Sequence, residues 1–217
     1  MISNKMFMNT TFRYSRYKFL VGFDFENTET ENSITTNESF SYAYISSIED
    51  WSGKLDFDWI PNPMHFIRFG AGDIYHTFTP GVQQLAMQST GTSALDTTFG
   101  SQLHFAHEIF AYIEDEFKLG AKLKGNIGLH SSGFIVKNSN YYYVQPRLSL
   151  RYLLDENSSI KASYASMAQY LHLLTNSGIG LPTDLWLPAT EQVKPQLSYQ
   201  WAIGYARTFI NKYEVSL

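Results

Sequence analysis

His104, His107 and Glu108 are the residues most readily drawn as metal ligands. On an extended strand, side chains alternate between faces, so His104 and His107 point to opposite sides and do not close on one ion. Two carboxylate pairs, Asp56 with Asp58 and Glu114 with Glu116, share a face two residues apart. Their backbones would stand about 6.5–7 Å apart, a separation a glycosidase pair can use. The polar side of an amphipathic strand produces the same spacing with no catalysis, and that is the simpler reading. Glu49-Asp50 and Asp155-Glu156 read as solvated rim or turn charges. Gly70-Ala71-Gly72 lies inside an extended segment instead of a phosphate-cradling loop before a helix. No catalytic residue, metal ligand or cofactor is assigned.

What remains are binding candidates. Arg147 with Arg151 and Lys122 with Lys124 fall on polar faces, where they would attract an anionic substrate, pair with carboxylates filling a lumen, or join an inter-strand salt-bridge ladder. The connection Thr175–Pro195 holds Leu181, Leu185, Trp186 and Leu187, unusually apolar for an exposed loop. Loops carry much of binding specificity, so Thr183, Asp184 and Trp186 are the ligand candidates there. Packing of the same residues against neighbouring loops is the competing reading. Pro80–Ser101 is a second candidate loop.

The elements that must position these residues are strands. Period two recurs along most of the chain, and no long stretch keeps the helical period. From Tyr142 to Leu154 one face reads Tyr142, Val144, Pro146, Leu148, Leu150, Tyr152 and Leu154, and the other includes Gln145, Arg147, Ser149 and Arg151. From Leu197 to Phe209, Leu197, Tyr199, Trp201, Ile203 and Tyr205 oppose Ser198, Gln200, Ala202 and Gly204. Ile160, Ala162, Tyr164, Ala168 and Tyr170 read as one apolar face of a further strand. In the first strand, and again between Phe40 and Trp51, the apolar set changes face, which a β-bulge would explain. About nine strands are expected, near 8–25, 38–60, 64–79, 102–119, 121–136, 141–154, 158–172, 196–210 and 212–217.

Short turns such as Pro61-Asn62-Pro63 and Asp155-Glu156-Asn157-Ser158 alternate with the long connections Asn27–Asn37, Pro80–Ser101 and Thr175–Pro195. Only Lys137–Asn140 breaks that alternation. Long loops at one end and tight turns at the other, with strands beyond the ~9–11 residues that cross a bilayer, suit an outer-membrane barrel. Composition agrees by exclusion. With 17% charged and 16% aromatic residues, net charge −4 and a pI near 5.8, the chain is no nucleic-acid binder. The absence of cysteine removes disulfide, thiolate-metal and thiol-nucleophile chemistry. No apolar run reaches the ~20 residues of a spanning helix.

The stretch Leu173–Thr190, with Leu181-Pro182-Thr183-Asp184-Leu185-Trp186 at its centre, followed by Val193-Lys194-Pro195-Gln196, resembles a segment of TonB-dependent receptors of Bacteroidetes type. Gly53–Pro63, Phe69-Gly70-Ala71 and Tyr75-His76-Thr77-Phe78 extend the likeness over most of the chain. The resemblance implies an all-β, antiparallel up-and-down meander within a large transmembrane barrel of the 22-stranded type. Here it would be about nine strands and unclosed. Residues 1–217 would be an internal piece of that barrel, with the plug domain, signal peptide and C-terminal strands outside it. The partners implied are outer-membrane lipid, the TonB system acting through the plug, and a small nutrient such as a siderophore, cobalamin or oligosaccharide. The location implied is the Gram-negative outer membrane. The piece alone would not transport. A soluble β-sandwich binding carbohydrate is the alternative, and it expects the apolar faces to meet in a dry core.

Overall fold

The computed structural model describes residues 3–31, 34–100, 103–174, 185–209 and 213–217. Its strands are β1 (Met6–Glu31), β2 (Ile34–Asn62), β3 (His65–Ser89), β4 (Leu95–Phe99), β5 (His104–Leu119), β6 (Leu123–Val136), β7 (Ser139–Leu153), β8 (Ser158–Gln169), β9 (Leu171–Leu174), β10 (Leu185–Pro188), β11 (Gln196–Phe209) and β12 (Tyr213–Ser216). One antiparallel sheet runs β1-β2-β3-β5-β6-β7-β8-β11-β12, with β4 added to the far part of β3, and β9 and β10 form a separate pair. The nine-strand meander expected from period two is therefore present and unclosed. Tyr, Phe, Ile and Thr populate these strands because branched and aromatic side chains pack well on a pleated surface.

Two connections expected as long loops are instead strand. β1 and β2 stay paired to Glu31↔Ile34, so Asn27–Asn37 is mostly ladder. β3 runs on through Pro80 to Ser89 and β4 folds back on it, occupying most of Pro80–Ser101. At roughly 3.3 Å per residue, the 26 residues of β1 and the 29 of β2 reach far past a bilayer's thickness.

The bulge expected between Phe40 and Trp51 exists, but the extra residue is on the partner strand. The register jumps between Ile45↔Val82 and Ser47↔Thr79, so Pro80 and Gly81 together face Ser46. Gly81 has φ +61, the left-handed conformation that suits glycine at a bulge. In β1 no bulge occurs: its register with β2 is unbroken from Met6↔Trp59 onward. The apolar set changes face there because the surroundings change. Below the Tyr14–Trp51 ring pair, the apolar side chains Phe12, Leu55 and Trp59 share one face. Above it, that same face carries the Arg16–Glu49 ion pair, while Phe19 and Val21 lie half-buried on the opposite side.

Burial sorts the two faces. Ile48, Phe78, Ala106 and Phe134 are buried on what is here the inner face. The outer face is uncovered: Trp201 is 76% and Ile203 86% exposed, with Val144, Ile113 and Ile127 also bare. The apolar faces thus do not meet in a dry core, contrary to the sandwich alternative. Outward aromatic pairs, Phe57–Phe69 at 5.0 Å and Tyr164–Trp201 at 4.3 Å, reinforce the outer surface.

Candidate functional site

Two regions of the inner face gather buried and charged side chains among the described residues. The first is a buried cluster of Ile48, Phe78, Ala106, Phe134, Val136, Tyr170 and Ala189, with Tyr141, Tyr143 and Trp186 packed against it. Tyr170 reaches it because β8 leaves β7 after Arg147↔Ala165 while remaining paired with β11 to Gln196↔Gln169. Tyr170 therefore does not continue the outward row of Ile160 and Tyr164. Gln145 fills the vacated position, its Oε1 accepting the Ala168 N–H at 3.0 Å and its Nε2 donating to Ser132 Oγ at 2.7 Å. Ser132 Oγ lies 2.6 Å from Tyr170 OH.

Over this cluster folds the β9–β10 hairpin. Ala189 N–H donates to Tyr170 O at 2.7 Å, and Tyr141 OH donates to Thr190 O at 2.6 Å. Trp186 stands half-buried on the cluster, whereas Thr183 and Asp184 lie outside the described residues. At the base of the cluster His76 is 2% exposed, its Nδ1 2.7 Å from Asp50 Oδ1 and its Nε2 3.6 Å from Glu108 Oε2. Asp50 is thus a partner of a buried imidazole and not a free rim charge. The sequence held no signal for this trio, since its members come from three strands.

The second region is polar. Lys54 Nζ lies 2.9 Å from Asp56, whose carboxylate also accepts from Tyr112 OH. Arg68 Nε lies 2.8 Å from Glu114. Arg13, Lys54, Arg68, Glu114, His130 and Arg147 line a recess of about 520 Å³ between these groups. Asp56 and Glu114, one from each carboxylate pair, are each held by a neighbouring cation. Such an arrangement can order water and bind charged solutes. His104 and His107 do fall on opposite faces, and His107 pairs with Asp73 on the outer one at 2.8 Å. Lys124, Arg147 and Arg151 share the inner face, and Lys122 stands in the turn before β6.

In the turn after β7, the Asp155 carboxylate accepts from Ser158 Oγ at 2.7 Å and from Asn157 N–H at 2.8 Å. The Ser158 hydroxyl, foremost, holds its pKa below the usual value near 3.8. That closes the tight turn and keeps β7 and β8 in register.

A family described as TonB dependent receptor-like, beta-barrel matches residues 8–214. The chain belongs to the TonB-dependent receptor β-barrel family. Among solved structures, the alcaligin outer membrane receptor FauA from Bordetella pertussis is similar at 13% identity with a TM-score of 0.38. The match covers 100% of this chain and 40% of that one, so the chain spans well under half the FauA length. No curated protein matches. The TonB-dependent family is one of receptors and transporters.

Proposed function

We propose that these strands form part of the wall of an outer-membrane receptor that captures a scarce nutrient at the cell surface. The intact receptor then imports it when the TonB system displaces a plug from the lumen. One observation carries this reading: a single-layered antiparallel sheet whose apolar side chains are bare on one face, with charged and hydrogen-bonded groups on the other. In water such a surface would aggregate. Against hydrocarbon it is the stable arrangement, because every central strand satisfies its backbone through its neighbours.

In this reading the outer face meets lipid, and the aromatic pairs mark the bilayer's interfaces. The inner face lines the passage. The β9–β10 pair sits at the outward end, and Thr183, Asp184 and Trp186 are the ligand-contacting candidates. Arg147, Arg151, Lys122 and Lys124 act along the lumen. The nutrient is a small ligand such as a siderophore, cobalamin or an oligosaccharide.

The test is fractionation followed by uptake. The receptor carrying this chain should sediment with the outer membrane, and boiling should change its electrophoretic mobility. Cells lacking it should lose growth on one of those nutrients as the limiting source. Recovery in the soluble fraction without detergent would overturn the reading.

A further inference from the structure

Charge is unevenly distributed over the inner face. Along β6, β7, β8 and β11 there is no Asp or Glu, yet Lys124, Arg147, Arg151 and Lys161 stand on the inner face of these strands. Registers place three of them, with Lys118, in one line. Lys118 is opposite Lys124, Lys124 opposite Arg151, and Arg151 opposite Lys161, which in turn faces Gly204. Directly opposed residues on antiparallel strands stand about 4.5–5.5 Å apart at Cα, so four cations occupy about 15 Å.

Like charges directly opposite one another destabilise a sheet. Elsewhere on the inner face Lys54 is paired with Asp56 and Arg68 with Glu114, whereas Arg13 and Arg147 stand apart and not in a row. Among the described residues no carboxylate forms an ion pair with any of the four. Lys124, Arg151 and Lys161 line a common recess of about 600 Å³ together with Asn126, Ser149 and Ser163. Glu116 is the single acid at its margin, and its register partner on β6 is Asn126. A sheet that collects like charges in one row, beside hydrogen-bonding amide and hydroxyl groups, has the composition of an anion site awaiting its counter-charge.

We propose that this row binds a small multivalent anion, one carrying two or more carboxylate or phosphate groups spaced to match adjacent strands. The inference rests on the inner face being the wall of a water-filled passage. Cations from three strands would each meet one anionic oxygen group, and Asn126, Ser149 and Ser163 would donate to the remaining oxygens. Because the row lies close to the tight turns that join β5 to β6 and β7 to β8, the anion would be held at the end of the passage opposite the long loops.

Binding of citrate and of tripolyphosphate to the intact receptor in detergent, measured by titration calorimetry, tests this. At least one should bind the unaltered receptor, more weakly as salt is raised. The combined variant Lys124→Gln, Arg151→Gln, Lys161→Gln should bind about tenfold or more weakly. If that variant loses its heat-modifiable mobility, the single change Lys161→Gln serves, and it too should weaken binding measurably. No binding of either anion to the unaltered receptor, or equal binding by a folded variant, would overturn the proposal. A receptor that reaches the outer membrane and ignores both anions would leave the receptor reading intact. One that never reaches the membrane would remove both.

Discussion

The ring of Tyr170 lies flat against that of Phe134, with centroids 4.9 Å apart and planes within 3° of parallel. The contact joins β6 to the residue just past the end of β8, across the intervening β7. It exists because β8 turns inward once its pairing with β7 ends. The hairpin above it, through Ala189 and Trp186, is seated on that stack. Truncating Phe134 to Ala should therefore cost about 3–5 kcal/mol of folding stability. Tyr170→Phe, which keeps the stack and loses only the Ser132 hydrogen bond, should cost about 0.5–1.5 kcal/mol. Urea unfolding in detergent measures both, and equal effects would mean that the stack is not what holds the cluster.

Two glycines separate backbone crowding from side-chain crowding. A Cβ on Gly70 would fall 2.4 Å from Leu55 O, an atom of the neighbouring strand that cannot move without breaking the ladder. On Gly125 the nearest atoms are the ring of Phe117 and a methyl of Leu150, both side chains. Gly70→Ala should destabilise by about 1–3 kcal/mol, and Gly125→Ala by less than about 1 kcal/mol. The ordering of their unfolding midpoints is the check, and a reversal would contradict the β2–β3 register.

Acid should loosen the β7–β8 turn through Asp155. Its pKa is lowered in the folded chain by Ser158 and Asn157, so the folded state prefers the ionised form. That preference is fully present above the ordinary value near 3.8 and is lost as pH falls through the lower folded value. Asp155→Asn should make stability less dependent on pH below about 4. Parallel unfolding titrations of the two proteins from neutral to strongly acidic pH decide it. Identical acid slopes would show that the carboxylate is not engaged.

Ile203 and Ala202 are adjacent in sequence but stand on opposite faces of β11, with Ile203 outward. Arginine at a lipid-facing site near the midplane costs about 2–4 kcal/mol, whereas lumen positions tolerate charge. Ile203→Arg should thus reduce folding yield into lipid vesicles much more than Ala202→Arg. Equal yields would speak against a lipid-facing outer surface.

Much of the fold was legible because alternation and tight-turn chemistry are local. Strands such as Tyr142–Leu154 and Leu197–Phe209 each keep one environment per face for most of their length, so period two reads true. It misled wherever the environment changed along a strand. In β1 the apolar set moves to the inner side above Tyr14 with no change of register, and nothing in a two-residue period distinguishes that from an inserted residue. Tyr170 was assigned outward for the same reason, since the departure of β8 from β7 is a long-range event. The long ladder through Pro80–Ser101 was hidden behind Pro80-Gly81, which reads as a turn and is a bulge. Arg147 with Arg151 and Lys122 with Lys124 were recognisable as polar pairs, although Lys122 stands in the turn before β6. The alignment of Lys124 and Arg151 with Lys118 and Lys161 needed the registers, and the pairing of His76 with Asp50 needed three dimensions.

The central claim is that the sheet's apolar face meets lipid and its polar face meets water. The chain contains no cysteine, so single cysteines can be placed on β11 at Tyr199, Trp201 and Ile203 and at Gln200, Ala202 and Gly204, then spin-labelled in the receptor reconstituted into vesicles. Collision with dissolved oxygen, which concentrates in lipid, should be high at the first three positions. Collision with a water-soluble nickel chelate should be higher at the second three, giving accessibility that alternates with period two. A flat profile, or one in which Trp201 and Ile203 contact the chelate as freely as Ala202, would contradict the account.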